Sequence, residues 1–142
     1  YTLLTNHVHA FLVAEQLNPH VGTLHELRPG RPSLAADLTE EFRAPVVEAL
    51  VLSLLWKGLI DPSDFELPDE PDQACLLTKD ALRVYLGHFA RTMAGRTPSN
   101  GVALASATNG SNGWRAAIHG QTRAYARYVT GQTHTYEPTR IR

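Results

Sequence analysis

Apolar residues recur at helical spacing in several stretches of the chain, separated by segments rich in Pro, Gly and Asp. Leu3, Leu4, Val8, Phe11, Leu12 and Ala14 predict a helix over residues 1–17 that stops before Pro19. Three prolines and two glycines make residues 18–32 a loop. Ser33 is the expected N-cap of the next helix, and Leu34, Leu38 and Phe42 follow at i+4 steps. Asp37, Glu40 and Glu41 stand in its early turns, where the helix dipole favours acids. Pro45 is expected to kink or split this helix. Val46 to Trp56 is apolar except for Glu48 and Ser53, so it is expected to be the most buried segment, ended by Gly58.

The second half is more broken. Residues 61–73 are acidic and Pro-rich, a surface loop with a turn expected at Asp61-Pro62-Ser63-Asp64. Cys75-Leu76-Leu77 reads as a short strand or extended entry. Thr78 is the expected N-cap of a helix to about Ala94, with Ala81, Leu82, Tyr85, Leu86 and Phe89 on one face. Residues 95–113 hold four Gly, three Asn, three Ser and a Pro, and are expected to be flexible. Trp114 to Val129 is the last predicted helix, with Trp114, Ile118, Tyr125 and Val129 facing inward. No internal repeat is present. The expectation is an all-α fold: a helical unit over residues 1–130 and a polar, basic tail over 131–142.

Composition narrows this picture. With 142 residues and 43% apolar content the chain can bury a core of its own. No uninterrupted apolar run approaches the roughly 20 residues that cross a bilayer, so no membrane role is expected. Tyr1-Thr2-Leu3-Leu4 has no basic leader and reads as mid-helix sequence, so the chain is expected to begin inside a larger protein. A single cysteine, Cys75, rules out an internal disulfide and fits a reducing cytoplasm. No His stands near it at a recognisable spacing, and it is expected to be a core thiol.

A net charge of −1 hides an asymmetry. Residues 1–80 carry thirteen Asp/Glu against five Lys/Arg, a balance of −8; residues 81–142 carry eight Arg against one acid, a balance of +7. Arg grips phosphate as a planar fork, so a basic half beside an acidic half suggests a polyanion surface next to a metal-binding or self-complementary one. A GC-rich genome that favours Arg accounts for the same counts without any partner.

Two constellations can carry chemistry. The first is His25 in the loop, followed by Asp37 and Glu40, three apart and so neighbours on one helix face. An imidazole with one or two carboxylates suits Mg²⁺ or Mn²⁺, which can activate a hydroxyl and neutralise a phosphodiester. Arg28 and Arg31, set in a Pro/Gly loop, are placed to hold a phosphate. The alternative is an exposed loop whose arginines pair with Glu26 or Glu41, the acids being helix-start residues. The second constellation is Arg115, His119, Arg123 and Arg127, a stripe at i+4 steps that can follow a nucleic-acid backbone, with Gln121, Tyr125 and Tyr128 nearby; the alternative is a solvated helix face. His7 and His9 point about 200° apart on a helix and cannot share an ion there. Phosphate-binding Gly loops, Gly-x-Ser-x-Gly and Cys-x-x-Cys are all missing from the sequence.

The run Leu24-His25-Glu26, Arg28-Pro29-Gly30-Arg31-Pro32-Ser33-Leu34, Asp37-Leu38 and Glu40-Glu41-Phe42-Arg43 closely resembles the signature of the CRISPR-associated spacer-acquisition integrases (CRISPR-associated protein one). Tyr1-Thr2-Leu3-Leu4, Leu17-Asn18-Pro19 with Gly22, Leu76-Leu77-Thr78, and Tyr136-Glu137-Pro138 with Arg140 and Arg142 are similar to further segments of that family. The likeness weakens over residues 95–113.

The resemblance implies the C-terminal helical domain of a two-domain, homodimeric protein whose N-terminal β domain is absent from this chain. It implies a metal-dependent DNA endonuclease and integrase that inserts spacer DNA into CRISPR arrays, the adaptation stage of prokaryotic antiviral defence. The partners it implies are prespacer and repeat DNA and the small CRISPR-associated protein two. By motif position His25 and Glu40 are metal ligands for Mg²⁺ or Mn²⁺, Asp37 is a further acid of the catalytic group, and Arg28 and Arg31 contact DNA. The family's first glutamate ligand has no counterpart here, so the chain alone is expected to be inactive. The rival reading is a non-catalytic helical module that binds nucleic acid or protein through Arg115, Arg123 and Arg127.

Overall fold

In the computed structural model the described residues are 1–68, 73–95 and 113–139. Five α-helices carry the fold: α1 (Thr2–Ala14), α2 (Ser33–Phe42), α3 (Ala49–Trp56), α4 (Lys79–Ala94) and α5 (Trp114–Val129). The expected loop over 95–113 lies almost wholly outside the described residues. Two two-residue strands, β1 (Phe65–Glu66) and β2 (Leu76–Leu77), pair antiparallel and close the segment before α4. The all-α expectation holds apart from this small hairpin.

Helix α1 is central and packs on α2 and α5, burying Leu4, Val8 and Leu12 along one stripe. Its end is a Schellman turn: Leu17 N–H donates to the Leu12 carbonyl at 2.9 Å and Gln16 N–H to Val13 at 3.0 Å. Gln16 sits there at φ 60°, a left-handed position that favours glycine. Gly58 after α3 (φ 61°) and Gly131 after α5 (φ 74°) close their helices the same way, through Leu59 N–H to Leu54 and Gln132 N–H to Arg127.

Helices α2 and α3 form one bent rod. Leu34, Leu38, Phe42, Val46, Leu50 and Leu54 are all buried, one every four residues. A strict α-helix would rotate such a stripe by about 40° per step. A π-helical stretch, Arg43–Glu48, joins α2 to α3, and its wider turn rotates the stripe back toward the core. Pro45 lies inside that stretch, where it can neither donate to a carbonyl four residues back nor pack against it. The expected break is thus a widened turn in a continuous rod.

Three expectations are corrected by this geometry. The apolar run is buried on one face only: Leu52 is 64% exposed and Trp56 93%, because α3 lies at the edge of the bundle with a single packed side. Val129, Leu82 and Leu86 are exposed, while Ala81 and Phe89 of the expected α4 face are buried together with Met93. Cys75 is exposed in the segment before β2 rather than a core thiol. Thr78 does cap α4, accepting from Ala81 N–H at 3.4 Å, and Asp61 and Asp64 form the expected turn as a capping box.

Replacing Gln16 by Gly relieves the left-handed strain and is expected to stabilise the fold by about 1 kcal/mol, raising Tm by about 3 °C in thermal unfolding.

Candidate functional site

The loop between α1 and α2 is fixed from both ends of α2's first turns. The Pro19 carbonyl accepts from the N–H groups of Leu34 (2.9 Å) and Ala35 (3.3 Å). Ser33 is not the N-cap but the first helical residue; its hydroxyl donates instead to the Glu26 carbonyl at 3.0 Å. A backbone carbonyl from the folded loop does the capping that the sequence assigned to Ser33. Within the loop, Arg28-Pro29-Gly30-Arg31 closes with Arg31 N–H donating to Arg28 O at 3.1 Å and Gly30 at φ 76°, the geometry of a type II turn.

Asp37 holds the other half of the loop. Its carboxylate accepts from the backbone N–H of Thr23 (2.7 Å), Leu24 (3.0 Å) and His25 (2.9 Å), and lies 2.7 Å from His25 Nδ1. Burial alone pushes the Asp37 carboxyl up, but the bonds from Leu24, the His25 ring, and the His25 and Thr23 amides outweigh it and hold the group below the usual carboxylate range. Against an ionised carboxylate the Nδ1 atom must donate, which leaves Nε2 as the ring nitrogen with a free lone pair when the imidazole is neutral. Gly22 permits the approach: a Cβ there would lie 2.5 Å from Asp37 Oδ2 and 2.7 Å from the Ser33 carbonyl carbon.

Glu40 stands one turn on from Asp37, exposed, with Arg43 Nη1 3.2 Å from its Oε2. Asp37, Glu40 and Glu41 line a groove together with Leu24, Tyr136 and Thr139. Glu41 points to the chain's last described segment, accepting from the Tyr136 hydroxyl and from Thr139 N–H at 2.8 Å. Desolvation raises the Glu41 carboxyl despite these bonds, and burial with the Glu41 contact raises the Tyr136 phenol. Tyr136 and Thr139 are thereby tied to α2. Tyr125 meets Tyr136 edge to face at 5.2 Å in the same wall.

The expected site residues are thus brought together unevenly. His25 and Asp37 touch, and Glu40 stands one turn from Asp37 on α2. Arg28 is bound to Glu26, Nε at 3.0 Å and Nη2 at 2.8 Å, as the alternative reading anticipated. On α5, Arg115, Arg123 and Arg127 are exposed, but Glu15 from α1 takes His119 Nε2 at 2.8 Å and lies 3.6 Å from Arg123 Nε. Phe11 stacks on the His119 ring at 4.8 Å. The stripe is therefore part anchor, part open cation row. Neither the Glu41–Tyr136 contact nor the Glu15 contact is visible to spacing rules, since each spans about a hundred residues.

Among the described residues no group of three or more His, Cys, Asp or Glu side chains is arranged to hold a metal ion. Two candidate donors, the His25 Nε2 and the Glu40 carboxylate, do not by themselves make a closed site. No helix among the described residues is long and apolar enough to cross a membrane.

A family described as "CRISPR associated protein Cas1" matches residues 1–91. CRISPR-associated endonuclease Cas1 3 of Thermus thermophilus is 35% identical over 146 aligned positions, covering 100% of this chain and 40% of that protein. CRISPR-associated endonuclease Cas1 1 of Chlorobaculum tepidum is 33% identical, covering 97% of this chain and 38% of that protein. Of solved structures, "Casposase bound to integration product" superposes with a TM-score of 0.79 at 26% identity, over 100% of this chain and 39% of that one. The Cas1 protein TM1797 from Thermotoga maritima gives a TM-score of 0.74 at 20% identity over 93% of this chain, a likeness of fold. The chain spans about two fifths of the length of these relatives.

The two neighbouring acids predict opposite pH responses. Asp37, with its folded pKa depressed, contributes stability that is present above about pH 4 and lost as pH falls below it. Asp37→Asn is expected to cost about 2 kcal/mol at neutral pH and to flatten the acid limb below pH 4. Glu41, with its folded pKa raised, destabilises increasingly as pH rises from about 4.5, so Glu41→Gln is expected to gain on the native chain over that rise. Thermal unfolding from pH 3 to 8 reads both.

Proposed function

The chain belongs to the CRISPR associated protein Cas1 family, and we propose that it supplies the helical, His25-bearing part of a divalent-metal-dependent DNA endonuclease and integrase. The reaction would join short DNA into a CRISPR array, with prespacer and repeat DNA as substrates and the small CRISPR-associated protein two as partner in a homodimeric assembly. The observation that carries this reading is the His25–Asp37 pair at 2.7 Å, with Glu40 one turn along α2 from Asp37. The relatives' designation as Cas1 endonucleases and the casposase structure with its integration product support it.

The geometry supports a division of roles. Asp37 has its acceptors filled by the loop, so it acts as the residue that orients His25 and not as a ligand. His25 Nε2 and a Glu40 oxygen are the ligand atoms offered. Mg²⁺ or Mn²⁺ held by His25 and Glu40 would supply charge neutralisation at the phosphodiester and acidify the attacking hydroxyl. Arg31, on the type II turn, and Arg28, once it exchanges Glu26 for phosphate, hold the DNA near the reacting bond. Exposed Arg115, Arg123 and Arg127 favour a second reading, in which the chain is a nucleic-acid-binding module without chemistry.

In the complete protein, with its small partner, a duplex bearing free 3′-OH ends, an array plasmid and Mn²⁺, His25→Ala and Glu40→Ala are expected to abolish joining while leaving DNA binding nearly intact. Asp37→Asn is expected to lower joining about 10- to 100-fold, as residues that orient a ligand do. No joining under any of these conditions, with DNA binding that depends on salt alone and not on metal or on either substitution, is the result of the binding-module reading.

A further inference from the structure

Arg43 makes three contacts at once, and they do not all serve stability. Its Nη1 lies 3.2 Å from Glu40 Oε2, its Nε donates to Glu48 Oε1 at 3.1 Å, and its guanidinium carbon sits 4.9 Å from the centre of the Tyr1 ring. Tyr1 in turn donates its hydroxyl to the same Glu48 oxygen at 3.1 Å. One edge of the guanidinium faces Glu40, while the remainder is held from behind by an acid and an aromatic face. Removing Glu40 from this set leaves Arg43 with two partners, whereas removing Arg43 leaves Glu40 with no cation among the described contacts.

Resting on the reading of Glu40 as a ligand, we infer that Arg43 is a resident counter-ion of Glu40 that steps aside for a divalent cation. Glu48 and the Tyr1 ring hold it when it does. A guanidinium and a hydrated divalent ion compete for the same carboxylate oxygens, and both cannot occupy them. The π-helical stretch contributes directly: it begins at Arg43, and it brings Glu48, five residues on, next to the Arg43 side chain. Arg43 is a positioning residue that sets how tightly the metal is held, and Glu48 acts on the metal through Arg43.

The test is Mn²⁺ binding by the complete protein without DNA, read as the loss of the free-ion electron paramagnetic resonance signal. Arg43→Gln is expected to tighten Mn²⁺ binding about threefold, the scale of one surface ion pair. Arg43→Lys, which keeps the charge but not the fork, is expected to fall between the two. Glu48→Gln is expected to weaken binding about twofold in the native background and to change nothing in the Arg43→Gln background. All differences are expected to shrink as salt rises. Unchanged or weaker Mn²⁺ binding by Arg43→Gln, or a Glu48→Gln effect that persists without Arg43, would overturn the inference while leaving the ligand assignment standing. Mn²⁺ binding unaffected by His25→Ala and Glu40→Ala would overturn both.

Discussion

The Asp37 carboxylate is the contact on which the site depends. Three backbone amides and one imidazole nitrogen converge on it, so a single side chain on α2 decides the path of residues 23–25 and the direction of the His25 ring. Charge-assisted bonds of this kind are roughly twice as strong as neutral ones, and four of them leave the carboxylate little capacity for anything else. That saturation separates two acids which look equivalent in sequence: Asp37 is committed to the loop, and Glu40, one turn away, remains available.

The rest of the fold places α2 so that this contact can form. Its apolar stripe continues through the π-helical stretch into α3, with α2 packed on α1 and α3 on α4, and these six buried residues fix the azimuth of the Asp37–Glu40 face. Glu41, one turn on from Asp37, then ties α2 to Tyr136 and Thr139, closing a groove beside the same face. Adjacent positions 40 and 41 point into different environments for the ordinary reason that a helix turns about 100° per residue. One stays solvated and available, while the other is desolvated and structural.

Much of this is legible in the sequence because it is local. The i+4 stripe from Leu34, the Pro45 disruption, the Asp61–Asp64 turn and the Thr78 cap each follow from residues within a turn of one another, and the structure has all four. Readings that depended on distant partners went differently. Apolar content alone does not say how many sides of α3 are covered, and so Trp56 and Leu52 are exposed where burial was expected. Ser33 has a capping residue's chemistry but loses the position to the Pro19 carbonyl. The sequence groups His25 with Asp37 and Glu40, but the three amides that make Asp37 a clamp are backbone groups and carry no sequence signature. The Glu41–Tyr136 contact joins residues 95 apart and has no local trace beyond the Tyr136-Glu137-Pro138 run itself.

The measurement that tests the central claim most directly is the tautomer of His25, read from ¹⁵N chemical shifts of the imidazole nitrogens at about pH 8.5, where an ordinary histidine is neutral. The account predicts a proton on Nδ1 and a free lone pair on Nε2, with that preference lost in Asp37→Asn. A proton on Nε2 in the native chain, or a preference untouched by the substitution, would contradict it.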